Sequence, residues 1–223
     1  MTQAAGTVGA AARIDGAAPL SAAVVLEMNE LCDRVEGPGG PGLVVLEVGG
    51  APGPSRDGLT TSLVTKWERT LRRLERLPAV TVAVASGDVG GTALDALLAT
   101  DVRIAAPDAR LLAGAAGAAT WPGMALFRMA HQAGTAAVRH TVLFGAPVGA
   151  AEAVAAGLVD ETTTDPDAAV AEAAARFGGF AGPELAIRRQ LMFDAATTGF
   201  EDALGAHLAA CDRALRLERE AAS

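Results

Sequence analysis

The sequence predicts an α/β layered fold with a helical C-terminal part. Three observations carry this. Short β-branched runs alternate with helical spacing as far as Ala113, and from Pro122 onward the spacing is helical throughout. The third is composition: of 223 residues, 51% are hydrophobic and 4% aromatic, with no tyrosine, while alanine fills 52 positions. A sizeable core is therefore expected, built from small aliphatic side chains, and general disorder is excluded. No linker divides the chain and no repeat recurs, so a single domain over residues 1–223 is expected, with a core over 13–160 and C-terminal helices over 161–223.

Taken in order, Met1 to Ala12 is small and polar-neutral and is expected to fray. Leu20, Val24, Met28, Leu31 and Val35 fall on one helical face, with Ser21 placed to cap it and the Gly37–Gly42 stretch to stop it. Leu43–Val48 reads as a strand, followed by a loop rich in glycine and proline. Leu63, Trp67, Leu71, Leu74 and Leu77 form the stripe of a second helix, whose Arg69, Arg72, Arg73 and Arg76 read as a solvated face. Val80–Ala85 is the next strand, Ser86–Thr92 a turn, and a helix then runs to Thr100. Val102–Ala106 is a further strand, and Leu158–Glu161 a short strand or exit. Asp167–Phe177, Pro183–Ala195 and Phe200–Leu217 read as helices. In the last, Phe200, Leu204, Leu208, Cys211 and Leu215 share a face.

A net charge of −8 argues against general nucleic-acid binding. The Ala-rich stretch from Ala105 to Met124 carries Pro107, Asp108, Arg110 and Pro122, so no membrane span is expected there. Cys32 and Cys211 match neither a paired motif nor a disulfide framework, and the histidines have no metal-ligand spacing, so no metal site is expected. With no apolar leader at the N-terminus, a cytoplasmic protein is expected.

The most informative local feature is Gly87-Asp-Val-Gly-Gly91-Thr92, which leaves a strand and enters a helix. Glycines there allow close backbone approach, and free N–H groups at a helix start can hold a phosphate or a thioester enolate. The spacing fits neither a dinucleotide-binding turn nor a P-loop.

Over a longer span, Pro78-Ala-Val-Thr-Val-Ala-Val-Ala-Ser-Gly87, Gly90-Gly91, Ala99-Thr-Asp101-Val-Arg-Ile-Ala-Ala106, Trp121-Pro122-Gly123 and the block from Leu143 to Asp160 occur in that order. Together they resemble the crotonase (enoyl-CoA hydratase/isomerase) superfamily. The resemblance covers about Arg13 to Asp160 and implies a ββα superhelix with an acyl-CoA pocket and an oxyanion hole. It further implies a homo-oligomer, trimer or hexamer, and no cofactor beyond the coenzyme A carried by the substrate. One hole donor would be Gly91 or Thr92. The other would come from the loop after Leu43–Val48, where Ser55 or Arg56 can donate and Pro54 cannot. Gly90, Trp121 and Ala115 would line the pocket, and Arg56 would pair with CoA phosphates.

The chain also departs from the family pattern. Of the two glutamates that flank the substrate in hydratases, the first position holds Asp95 and the second holds Ala115. Asp95 is therefore a shortened acid/base candidate, and Asp88, in the turn, is another. The runs Thr65–Pro78 and Thr120–Arg128 resemble the short crotonase homologue of the 3,5-dihydroxyphenylglycine pathway. That resemblance implies an accessory dehydratase/aromatisation protein on a polyketide acyl-CoA, beside a type III polyketide synthase and another crotonase homologue. Two alternatives stay open: a general enoyl-CoA hydratase/isomerase, and a catalytically silent partner subunit.

Overall fold

The structure is a computed structural model in which residues 9–53, 57–114 and 123–221 are described. Its centre is a parallel sheet in the order β1 (Ala10–Asp15), β2 (Leu43–Gly50), β3 (Val80–Gly90), β4 (Val102–Ala105) and β7 (Glu161–Thr162). Two short strands, β5 (Arg110–Leu112) and β6 (Val148–Gly149), extend it beyond the end of β3. Helices α1 (Ala22–Glu36), α2 (Thr61–Leu74) and α3 (Gly91–Leu98) follow the first three strands.

Alternation along the strands sorts side chains onto two faces, as the two-residue period requires. Val44, Leu46, Val48, Ala83 and Ala85 point into the main core with Trp67, Leu71 and Leu97. Leu43, Val45, Val80 and Val82 point the other way and meet Ala169, Val170 and Ala173 of α7 (Pro166–Phe177). The predicted stripe on α2 is buried at Trp67, Leu71 and Leu74.

Two segments differ from expectation. Residues Ala10–Asp15 form a strand although Ala10–Ala12 has no β-branched residue. In-register pairing from Ala10 with Val44 to Asp15 with Gly49 supplies what propensity lacks. The Ser86–Gly90 segment is not a turn but the continuation of β3. Beyond β4, residues Asp88, Val89 and Gly90 pair with Arg110, Leu111 and Leu112 of β5. A register shift between Gly49 and Gly50 moves their β3 partners from Ser86 to Val89, leaving Gly87 and Asp88 bulged out of the β2 ladder.

The C-terminal part is tied on by charge. Arg189 of α8 (Pro183–Ala195) is buried and donates from Nε and Nη2 to both oxygens of Asp101, each at 2.7 Å. Its remaining donors reach the carbonyls of Glu75, Leu77 and Ala79 at 3.1, 2.8 and 3.0 Å. The arginine run on α2 is more than a solvated face, since Arg73 bonds to Asp33 and Glu36 of α1. Arg128 of α4 (Ala125–Ala133) reaches Glu68 and Glu75 at 2.9 and 3.1 Å. Burial pulls the Arg128 guanidinium down, but those two glutamates carry it above its ordinary value. Helix α9 (Phe200–Ala221) forms as the spacing predicts, yet Phe200, Leu208 and Leu215 of its stripe are exposed within this chain. No helix among the described residues is long and apolar enough to cross a membrane.

Candidate active site

A cavity of about 310 Å³ opens where three chain segments converge. The β1–α1 turn contributes Gly16 to Leu20, the segment after β2 contributes Pro52, Gly53, Asp57 and Leu59, and the start of α3 contributes Gly91 and Thr92. The convergence is possible because the crossing points carry no side chain. A Cβ on Gly16 would lie 2.2 Å from the Gly90 carbonyl oxygen and 2.4 Å from that of Gly50. The Asp15 carboxylate accepts from the Ala17 N–H at 2.9 Å and shapes the turn. Gly91 has φ +53°, the left-handed region that disfavours any side chain, and packs beside Pro52.

Helix α3 is buried at all eight positions, and among the described residues no side chain caps its N-terminus. Its first N–H groups have no partner within the helix and carry the positive end of the helix dipole. Aimed at a cavity, they suit an oxyanion. The other end is closed by protein. Arg103 Nη2 donates to the carbonyls of Leu98 and Thr100 at 2.9 and 3.1 Å, and the Gln132 amide donates to Leu98 at 3.0 Å. Burial holds the Arg103 guanidinium below its ordinary value, against the opposing pull of Asp160 and Asp101.

The structure brings Gly91 and Thr92 to the cavity wall, with Gly90 directly before them. Asp95 lies one turn further along α3, with no exposed surface, and its Oδ2 accepts from the Trp67 indole N–H at 3.1 Å. Asp88 lies on the rim of β3, where Arg110 Nε donates to it at 2.7 Å. Ser55, Arg56, Ala115 and Trp121 lie outside the described residues. Sequence reasoning passed over Asp57, the only ionisable side chain among the described residues lining the cavity. It sits at the end of a loop read for N–H donors and for the Arg56 guanidinium, and no local pattern marked its carboxylate. A larger cleft of about 910 Å³ runs along α2 between Arg69, Arg72 and Phe127, and it shares no lining residue with the cavity.

The profile of a family described as enoyl-CoA hydratase/isomerase matches residues 54–214. A protein of Amycolatopsis orientalis named enoyl-CoA-hydratase is 52% identical over 207 residues, covering 92% of this chain and 95% of that relative. The chain belongs to the enoyl-CoA hydratase/isomerase family. Solved members show the same fold at much lower identity. An enoyl-CoA hydratase/isomerase family protein from Silicibacter pomeroyi superposes with TM-score 0.80 at 19% identity, covering 94% of this chain and 96% of the other. One from Marinobacter aquaeolei gives 0.78 at 16%, covering 94% and 89%. The crotonase fold expected from the sequence is thus the fold observed, and the family match contains the whole of α3.

Proposed function

We propose that this family member acts on an acyl-CoA thioester as an accessory dehydratase/aromatisation protein, alongside a type III polyketide synthase that makes a 3,5-dihydroxyphenylacetyl-CoA precursor. The observation that carries the thioester chemistry is the uncapped N-terminus of α3 at the cavity, where Gly91 and Thr92 offer backbone N–H groups. The polyketide substrate rests on the sequence likeness of Thr65–Pro78 and Thr120–Arg128 to the short pathway homologue.

In the proposed reaction the thioester carbonyl sits against the α3 N–H groups, which stabilise negative charge developing on its oxygen. A donor from the segment after β2, with Ser55 as the first choice, completes the hole. Arg56 meets the CoA phosphates, and Gly90, Ala115 and Trp121 border the acyl group. A carboxyl group, Asp95 or Asp88, delivers a proton as the β-hydroxyl leaves as water. Coenzyme A enters only as part of the substrate, so no separate cofactor is required. Protomers assemble as a trimer or hexamer, and the protein works in the cytoplasm.

The test is reconstitution with a matching synthase and malonyl-CoA. Addition of this protein should raise the yield of aromatic acyl-CoA several-fold, and an unchanged yield overturns the polyketide reading. The second reading, a general enoyl-CoA hydratase, is favoured by the name of the Amycolatopsis relative. Crotonyl-CoA hydration that disappears in Asp95→Asn would support it. A stable heteromer with an active homologue, its activity intact after Asp95→Ala and Asp88→Ala, would instead make this chain a silent subunit.

A further inference from the structure

We propose that Asp57 is the general base of the cavity, supplying from the segment before α2 the second carboxylate that the chain lacks at Ala115. This rests on the thioester chemistry proposed above and adds a residue to it. Three observations support it. Asp57 lines the same cavity as Gly91 and Thr92, and it is the only ionisable side chain among the described residues that do so. Its position is fixed from the C-terminal side. Gly58 turns the chain at φ +73°, Leu59 forms cavity wall, and the Thr60 hydroxyl caps α2 by accepting from the Leu63 N–H at 3.2 Å. Asp57 is exposed whereas Asp95 is sealed against Trp67, so the two carboxyl groups differ in access to solvent protons. A base must shed its proton after each turnover, and the solvent-facing group is suited to that task.

The step balances without a co-reactant. The Asp57 carboxylate takes a proton from Cα of a β-hydroxyacyl thioester, and the C–H electron pair becomes an enolate held at the α3 N–H groups. The enolate collapses to the Cα=Cβ double bond as the Cβ–O bond breaks. The departing hydroxyl takes a proton from solvent at the mouth of the cavity and leaves as water. Asp57 releases its own proton to solvent, so the proton count closes and the carboxylate is restored.

The test uses the full chain and 3-hydroxybutyryl-CoA in deuterated water, following deuterium uptake at Cα in recovered substrate by mass spectrometry. Substrate affinity is measured in parallel by calorimetry. Asp57→Asn should slow exchange by about 10²–10⁴-fold with affinity and melting temperature retained. Asp57→Glu should recover part of the rate. Unchanged exchange in Asp57→Asn overturns the proposal, as does a rise in KM with kcat intact, which would make Asp57 a binding residue only. If the wild-type chain neither binds the thioester nor exchanges its α-proton, the thioester reading fails and takes this one with it. If it binds and exchanges but Asp57→Asn does so equally well, only the role of Asp57 fails. Should Asp57→Asn unfold, Asp57→Ser decides by the same readout, an exchange rate equal to wild type counting against the proposal.

Discussion

The two ends of α3 are built on opposite principles. At its C-terminal end, Arg103 and Gln132 satisfy carbonyls that the helix leaves over. At its N-terminal end no side chain among the described residues caps the helix, and Gly91 and Thr92 face a cavity. Every residue of α3 between them is buried, so the difference is not one of exposure. It shows where the chain spends polar side chains on holding itself together and where it keeps backbone donors for something else. A helix end left uncapped inside a folded protein carries a cost, and a ligand that accepts from it recovers that cost.

Breaking the N-terminal end should have the largest effect. Gly91→Ala forces a side chain onto a left-handed backbone beside Pro52, and the first turn must move. Turnover of an acyl-CoA substrate should fall by about 10²–10³-fold, the scale of losing one oxyanion donor. Melting curves check that the protein is still folded. A variant that melts early but turns over normally per folded molecule would make this end structural like the other.

The C-terminal end should respond in the reverse way. Arg103→Met removes the donor to Leu98 and Thr100 and should cost about 3 kcal/mol of stability, the upper range for stranded buried acceptors. Urea unfolding would measure it, with kcat per folded molecule unchanged. A fall in kcat at unaltered stability would erase the distinction between the ends.

The middle of the helix sharpens the contrast. Trp67→Phe withdraws the indole N–H from Asp95 and should cost about 2 kcal/mol, read by the same unfolding experiment. If the pH profile of turnover moves as well, Asp95 takes part in the reaction. Loss of stability alone would leave it a strut between α2 and α3.

Sequence reasoning reached some of this and missed the rest for physical reasons. β2 and the first half of β3 were legible because β-branched runs mark buried parallel strands. The approach of Gly91 and Thr92 to a ligand-sized space was legible because the family resemblance implies a hole donor there, and glycines at a strand-to-helix passage allow the close backbone approach it needs. β1 was not legible, since three alanines owe their extended state to a neighbour 34 positions away in register, Ala10 against Val44. The tail of β3 was missed for the same reason, as Ser86–Gly90 is held extended by pairing with Gly49 and Gly50 of β2 and with Arg110–Leu112 of β5. Nor did the arginine run on α2 disclose its partners. The contact of Arg128 with Glu68 and Glu75 joins residues far apart in the chain, and no local period records it. Asp57 was hidden by its setting, a turn where aspartate is common whatever its task.

The glycine at position 16 has a consequence for redesign. With the Gly90 and Gly50 carbonyl oxygens that close to its missing side chain, the floor of the cavity is main chain, and its outline follows from how β1, β2 and β3 line up. Such a floor cannot be reshaped one residue at a time. An engineer wishing to admit a bulkier or differently shaped acyl group would find no useful alphabet at position 16. Libraries would have to be written at Ala17, Leu20 and Leu59, whose side chains border the same space and can change size without moving a strand.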